Sequence, residues 1–351
     1  MVSNTTSLLA PLLQRLDPER AHHLAVLALR LGIAGADRQP DDPALEMRVL
    51  GRRYPNPIGL AAGFDKDGKA LRGLSRLGFG LVEAGTVTPQ PQPGNPRPRV
   101  FRLVEDRAVI NRYGLNSEGF DAAISRLARL PREGLRSRLG VNIGPNKDGD
   151  AGRDLPPMIA ALSGTSLGDY IAVNISSPNT QGLRDWQTGQ RLADLLAGAN
   201  AANRRRMPIL VKIAPDQEAG ALEEIVGVCV EAGIAGLIIG NTTVARPATL
   251  RSPRRSEAGG LSGAPLLDPS TRLLRDAFRL GRGRLVLVGC GGIRTGADIL
   301  AKVRAGASLV QLYTAFAYEG PALVPRLKRE LLAALRAEGF ERVRDAVGTA
   351  A

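Results

Sequence analysis

Histidine and cysteine are nearly missing from this chain of 351 residues, which holds two of each: His22 and His23 side by side, Cys229 and Cys290 far apart. Two cysteines build neither a disulfide framework nor a cysteine zinc cluster. Both histidines fall near the start, so a histidine metal site or a Ser-His-Asp triad would have to reach back to that segment. Catalysis is therefore expected to run without histidine. Long apolar runs are also missing. No stretch of 18 apolar residues occurs, so no spanning helix is expected. The first residues lack a basic region followed by a clean apolar stretch, so they do not read as a secretory signal. With 44% apolar and 23% charged residues, disordered and collagen-like classes are excluded.

What is present is basic charge. Lysine and arginine outnumber aspartate and glutamate 47 to 34, a net charge of +13, and only six of the basic residues are lysine. Such a chain is drawn to anionic partners, whether nucleic acid, acidic lipid or an anionic substrate. Its length fits two domains or one α/β barrel with insertions. From residue 58 onward one unit recurs: a short apolar run ends in Gly, Asn or Thr, and a helical pattern follows. The runs are Ile58–Ala61, Leu81–Ala84, Leu139–Ile143, Tyr170–Ile175, Ile209–Ile213, Gly236–Ile239, Leu285–Val288 and Ser308–Leu312, eight in all. Near-continuous apolar runs suit strands buried on both faces, as in parallel sheets. Helical stretches fit between them, as at Gly68–Leu77, Leu192–Asn203, Ala219–Glu231, Pro269–Leu280 and Ala297–Arg304. Eight such units predict an α/β fold, a TIM (β/α)8 barrel. A doubly wound open sheet would want a GxGxxG turn after its first strand, and Ala61-Ala62-Gly63-Phe64-Asp65-Lys66 is not one.

Two gaps exceed a helix. One lies between strands two and three, with the proline-rich 89–98, a strand expected at Arg99–Val104, and Asn111-Arg112-Tyr113-Gly114-Leu115. The other, Arg246–Leu267, follows strand six. Both are expected at the C-terminal mouth, where barrels carry their function. The first forty residues read as a small helical extension, giving segments 1–40 and 41–351. A Leu-rich helix is expected over Thr5–Leu16. Asp17-Pro18-Glu19 then supplies an N-cap, a proline at the first helical position and an acidic first turn, and Gly32 stops a second helix near Leu31. On it Leu24, Leu27, Ala28 and Leu31 form a stripe that Val26 and Leu29 widen. A plug packed under the barrel and a pair of interfacial helices on a bilayer both fit this pattern.

The residues that end the strands face the site of a barrel. They include Asp65 and Lys66, Thr86, Asn142, Asn174 with Ser176-Ser177-Pro178-Asn179, Lys212, Asn241-Thr242, Gly289-Cys290-Gly291-Gly292, and Tyr313-Thr314. Asn side chains both donate and accept, so a ring of them fits a planar solute with alternating N–H and C=O groups. Lysines fit an anion or an electron-rich ring. Glycines after strand seven stand where many barrels hold a phosphate on backbone N–H groups. A site with no histidine and no paired carboxylates has little redox or hydrolytic power of its own, so the hard step belongs to a phosphorylated cofactor. Flavin mononucleotide (FMN) fits both the glycines and the amides.

At these residues the chain resembles a known family: dihydroorotate dehydrogenase in its class 2, membrane-associated, quinone-dependent form. The resemblance runs over essentially the whole length and rests on 61–68, Asn111-Arg112-Tyr113-Gly114, Val141-Asn142-Ile143-Gly144, 173–180, Asn241-Thr242-Thr243, Gly259-Gly260-Leu261-Ser262-Gly263 and Gly291-Gly292-Ile293. It implies an FMN enzyme that oxidises dihydroorotate to orotate in pyrimidine synthesis and passes the electrons to a membrane quinone, at the cytoplasmic side of the cell membrane. It implies FMN contacts at Ala62, Gly63, Phe64, Asp65, Lys66, Thr86, Asn142, Asn174, Lys212, Gly240, Gly263, Gly292, Tyr313 and Thr314. It places orotate against Lys66, Asn111, Arg112, Tyr113, Gly114, Leu115, Asn174, Asn179, Asn241 and Thr242. Ser177 is implied as the base that takes the C5 proton while hydride leaves C6 for flavin N5. A free serine is too weak a base, so it must work through a buried hydrogen-bond or water relay. Class 1 enzymes carry cysteine at this place, and neither cysteine of this chain lies in the Ser177 loop. Gly240 stands where the family usually has Thr or Ser, and Cys290 where Val is usual.

Two other readings compete. A flavin barrel acting on RNA, like a dihydrouridine synthase, would suit the charge but would need a catalytic cysteine in the active loop and usually an RNA-binding domain. Neither is visible, and no nucleic-acid partner is expected. A silent barrel used as a binding module would have lost its mouth residues, whereas Lys66, Ser177 and Asn179 are present.

Overall fold

The computed structural model describes residues 14–165, 167–187 and 189–351. Its centre is a closed parallel barrel of eight strands: β1 (Ile58–Asp65), β2 (Leu81–Val87), β3 (Arg138–Ile143), β4 (Tyr170–Asn174), β5 (Ile209–Ile213), β6 (Gly236–Ile239), β7 (Val286–Cys290) and β8 (Leu309–Leu312). Each strand pairs with its sequence neighbours and β8 returns to β1, the (β/α)8 order. All eight apolar runs lie on these strands. The helices between them include Leu71–Arg76, Gly189–Ala202, Ala221–Glu231, Leu267–Gly281 and Gly296–Arg304.

The barrel interior departs from the usual aliphatic filling. Glu83 on β2, Tyr170 on β4 and Gln311 on β8 are fully buried and meet inside it. Gly140 makes this possible, since a Cβ there would lie 2.3 Å from the Tyr170 ring. A hairpin of Met47–Val49 and Arg52–Tyr54 buries Met47, Val49 and Tyr54 in the main core.

The two long insertions fold together. Val100–Leu103 and Ala108–Asn111 come from the first, Gly260–Gly263 from the second, and they form one antiparallel three-stranded sheet with Asn111 opposite Gly260. Phe101, Leu103, Ile110, Leu250 and Leu261 give it a small core of its own.

The expected helix over Thr5–Leu16 lies outside the described residues except for its end, where Gln14 and Arg15 are helical. The next helix, α1 (Pro18–Arg30), begins as the sequence predicts: the Asp17 carboxylate accepts from the N–H groups of Glu19 and Arg20. It packs closely on Leu71–Arg76, where a Cβ on Gly73 would lie 2.2 Å from the Leu29 carbonyl oxygen. Glu19 fixes α1 to the insertion sheet through a buried ion pair with Arg99 at 2.7 Å and a second contact to Arg97 at 3.0 Å. The contact face is Ala21 and Leu29 with Ala25, Val26 and Ala28 half-buried beside them, while Leu24 (47%), Leu27 (47%) and Leu31 (64%) are exposed, beside Ile33 (66%). Leu24, Leu27 and Leu31 of the predicted stripe thus point away from the barrel, whereas Ala28, Val26 and Leu29 pack against it.

Candidate active site

The insertion sheet and the C-terminal ends of the strands enclose one cavity, lined by most of the residues expected there. Strand register brings the first pair together. Asn174 is the last residue of β4 and lies opposite Lys212 on β5, so both side chains enter the barrel mouth side by side. Lys212 is 5% exposed, and among the described residues its ammonium has no hydrogen bond or ion pair.

The amides are oriented by a hydrogen-bond chain that starts in the buried interior. The Glu83 carboxylate accepts from Asn142 Nδ2 (2.7 Å), Tyr170 OH (2.6 Å) and Gln311 Nε2 (2.7 Å). Asn142 Oδ1 is left to accept the Thr86 hydroxyl at 2.6 Å, and Thr86 Oγ1 accepts from Asn174 Nδ2 at 2.8 Å. Asn174 Oδ1 then accepts the Ser176 hydroxyl at 2.8 Å, and Ser176 Oγ accepts from Asn241 Nδ2 at 2.9 Å. Each hydroxyl donates once and accepts once, so a single direction satisfies the chain. The carboxylate fixes which way two cavity amides present oxygen and nitrogen.

Ser177 lines the cavity, 5% exposed, and its Oγ accepts from the Asn179 N–H at 3.3 Å. Asn179 Nδ2 reaches the Asn111 carbonyl at 3.2 Å, tying the serine loop to the insertion sheet. Lys66 donates to the Gly63 carbonyl at 2.8 Å and lies 4.0 Å from the centre of the Tyr113 ring. Burial pulls its ammonium down to about 8.

Four expected residues do not line the cavity with their side chains. Phe64 turns outward to pack on His22, Phe316 and the edge of Tyr313. Asp65 folds back to accept from the N–H groups of Lys69 and Ala70, both at 2.7 Å, and burial pushes its carboxyl up to about 6. Asn142 stands one layer down, behind Thr86. Arg112 stands between Asn111 and Tyr113, which face the cavity, but points away, pairing with Glu257 at 2.9 Å over the Phe101 ring. Contacts to a ligand from these four would run through backbone atoms or through neighbours.

Several supporting residues escaped the sequence reading. Arg184 donates to the carbonyls of Ser176 (3.2 Å) and Thr242 (3.0 Å) while Asp216 holds its other nitrogen at 2.9 Å, clamping two cavity loops together. Glu83 had a visible signal, a carboxylate within an apolar strand run. Arg184 had none.

The sequence model of the family described as dihydroorotate dehydrogenase matches residues 44–335. The chain belongs to this family. A curated relative from Azorhizobium caulinodans, dihydroorotate dehydrogenase (quinone), is 51% identical over 350 residues, covering 97% of this chain and 98% of the relative. The mitochondrial dihydroorotate dehydrogenase (quinone) of Mus musculus is also 51% identical, over 97% of this chain and 89% of the relative. The crystal structure of DHODH from Eimeria tenella in complex with ferulenol has a TM-score of 0.91 at 39% identity, covering 95% of each chain. The similarity to the quinone relatives extends across the N-terminal segment, ahead of the residues that the family model matches.

Proposed function

We propose that this chain oxidises dihydroorotate to orotate with a quinone as electron acceptor, the step named in its relatives, and that it does so with bound FMN. The observation that carries the cofactor is the cavity itself. A buried Lys212, unpartnered among the described residues, faces amides of fixed direction, and the far wall is glycine backbone. Gly263 (φ +101°), Gly291 (φ +108°) and Gly292 (φ +81°) adopt conformations that favour glycine, and a Cβ on Gly292 would lie 2.2 Å from Leu267 Cα. Such a wall suits a phosphate held on N–H groups, with Thr314 and Ser262 hydroxyls joined at 2.9 Å beside it. Ala62, Gly63, Thr86, Asn174, Lys212, Gly240, Gly263, Gly292, Tyr313 and Thr314 would hold the cofactor. At Gly240 only backbone can take part.

When bound, the flavin supplies the acceptor for a hydride from C6 of the substrate and passes both electrons on to quinone. The chain supplies the rest. Lys66 faces the substrate carboxylate, and Asn111, Asn174, Asn179, Asn241 and Thr242 match the ring N–H and C=O groups. Tyr113, Gly114 and Leu115 close the pocket over it. Ser177 Oγ takes the C5 proton and must hand on its own. The hydroxyl of Thr180, buried in the same loop with no hydrogen-bond partner among the described residues, can continue that path through a water.

The exposed arc of Leu24, Leu27, Leu31 and Ile33 favours the interfacial reading of the N-terminal segment. No helix among the described residues is long and apolar enough to cross a membrane. We place the chain on the cytoplasmic face of the cell membrane, held by apolar insertion and positive charge, with quinone entering at α1. Orotate formation tests the whole reading. It should appear with dihydroorotate plus a quinone and not with fumarate or NAD in its place; turnover with fumarate or NAD but not with quinone would overturn the quinone assignment.

A further inference from the structure

Behind the β7 loop stands a charge that the proposed reaction does not use. Lys302, on the helix Gly296–Arg304, is fully buried. Its ammonium donates to two neutral hydroxyls, Ser270 Oγ at 2.8 Å and Thr271 Oγ1 at 3.1 Å. Among the described residues no carboxylate lies within 4.0 Å of it. A lysine is seldom fully buried without a counter-charge, because an unpaired charge inside a protein is strongly unfavourable. The titratable groups that act on it are Cys290, Asp298 and Asp268, none in direct contact. Asp298 is engaged in capping its own helix, and burial holds the Cys290 thiol protonated. Burial pulls Lys302 down to about 8, which leaves it charged at pH 7.

The position of this ammonium says what would balance it. Ser270 Oγ also approaches the Gly291 carbonyl at 3.3 Å and donates to the Leu266 carbonyl at 2.5 Å. A Cβ on Gly289 would touch Lys302 Cδ at 3.1 Å. Leu266, Cys290, Gly291 and Gly292 all line the cavity. The charge thus sits one hydroxyl behind the glycine wall, on its dry side. Arg107 and Arg294 line the same cavity, but Arg107 is exposed and Arg294 only half-buried, so water screens both more than it screens a fully buried charge.

We propose that Lys302 is the buried counter-charge of the flavin phosphate, a positioning residue that acts through Ser270 and the Gly291 backbone and makes the site prefer a phosphorylated flavin. This rests on the FMN reading above and is tested separately from it. Protein stripped of flavin is titrated with FMN and with riboflavin, which lacks the phosphate, following flavin fluorescence. Lys302→Met should weaken FMN by about tenfold or more, the scale of one charge–charge interaction through protein, and leave riboflavin within about twofold. In the wild type the preference for FMN should fall from pH 7 to 9.5 as Lys302 loses its proton, because the phosphate, with a second pKa of about 6, is already dianionic. In Lys302→Met that fall should shrink to whatever Lys66, which remains, contributes. Lys66 titrates in the same range, but it is present in both proteins and cancels in the comparison. A Met variant that keeps the wild-type preference overturns the proposal. So does a wild-type preference unchanged between pH 7 and 9.5, a result that needs no variant to fold. Wild type that binds neither flavin overturns the FMN reading itself.

Discussion

Replacing Glu83 by Gln changes one buried atom, yet its effect should extend from the barrel interior to the substrate amides. All three neighbours of the carboxylate donate to it: Asn142 Nδ2, Tyr170 OH and Gln311 Nε2. Burial and the carboxylate itself raise the Tyr170 phenol well above its ordinary range, so it remains a donor. A glutamine offers one acceptor oxygen and turns an NH2 toward the remaining donors. Tyr170 can rotate to accept, but at least one further donor loses its partner. A charge-assisted hydrogen bond contributes about 1.5–3 kcal/mol and a stranded buried donor costs about 1–3 kcal/mol. Rotation of Tyr170 offsets part of this, so Glu83→Gln should destabilise the protein by about 3 kcal/mol. Glu83→Leu, which strands all three donors, should cost more. The alternative is for Asn142 to flip, and that reverses the chain through Thr86, Asn174, Ser176 and Asn241. Urea unfolding measures the first outcome. The KM for dihydroorotate measures the second, and it should rise because Asn174 and Asn241 would present the wrong atoms. Stability within about 0.5 kcal/mol of wild type together with an unchanged KM would refute the reasoning.

Three other outcomes follow from the site. Ser177→Ala should bind flavin and orotate normally and slow single-turnover flavin reduction by about 10²–10⁴-fold, whereas a wild-type rate would place the base elsewhere. Lys66 is charged below about 8 and neutral above it, so the KM for dihydroorotate should climb as pH passes 8, and the climb should vanish in Lys66→Arg. Glu at Leu24, Leu27 and Leu31 together should abolish liposome binding and turnover of a long-chain quinone while sparing a short-chain one, since these side chains are exposed and carry little of the fold. This triple change is a cleaner probe than a chain starting at Asp42. That cut would strip Lys328 of both its carboxylates, Asp37 and Asp41.

The eight barrel strands were legible because a strand buried on both faces must be apolar along its length, and α1 because Asp17-Pro18-Glu19 encodes its start locally. Of the insertion sheet only the strand expected at Arg99–Val104 was legible, since Asn111 pairs with Gly260 far along the chain and neither segment betrays its partner. Residue types at the mouth were readable from the strand ends, but side-chain directions were not. Phe64 follows Gly63 into the cavity wall by sequence and leaves it by geometry, drawn to the aromatic cluster of His22, Tyr313 and Phe316. Arg112, just past the end of its strand, shows the same lesson, turning to Glu257 and the Phe101 ring. Burial pulls His22 down to about 3, so it adds a neutral ring to the wall of α1 rather than a base.

Anaerobic mixing of the purified protein with dihydroorotate tests the central claim most directly. The protein should carry a flavin absorbance band, lose it on adding about one equivalent of dihydroorotate per flavin, and regain it on adding quinone, with orotate released in equal amount. A protein that takes up no FMN, or whose flavin band dihydroorotate leaves untouched, would contradict the account.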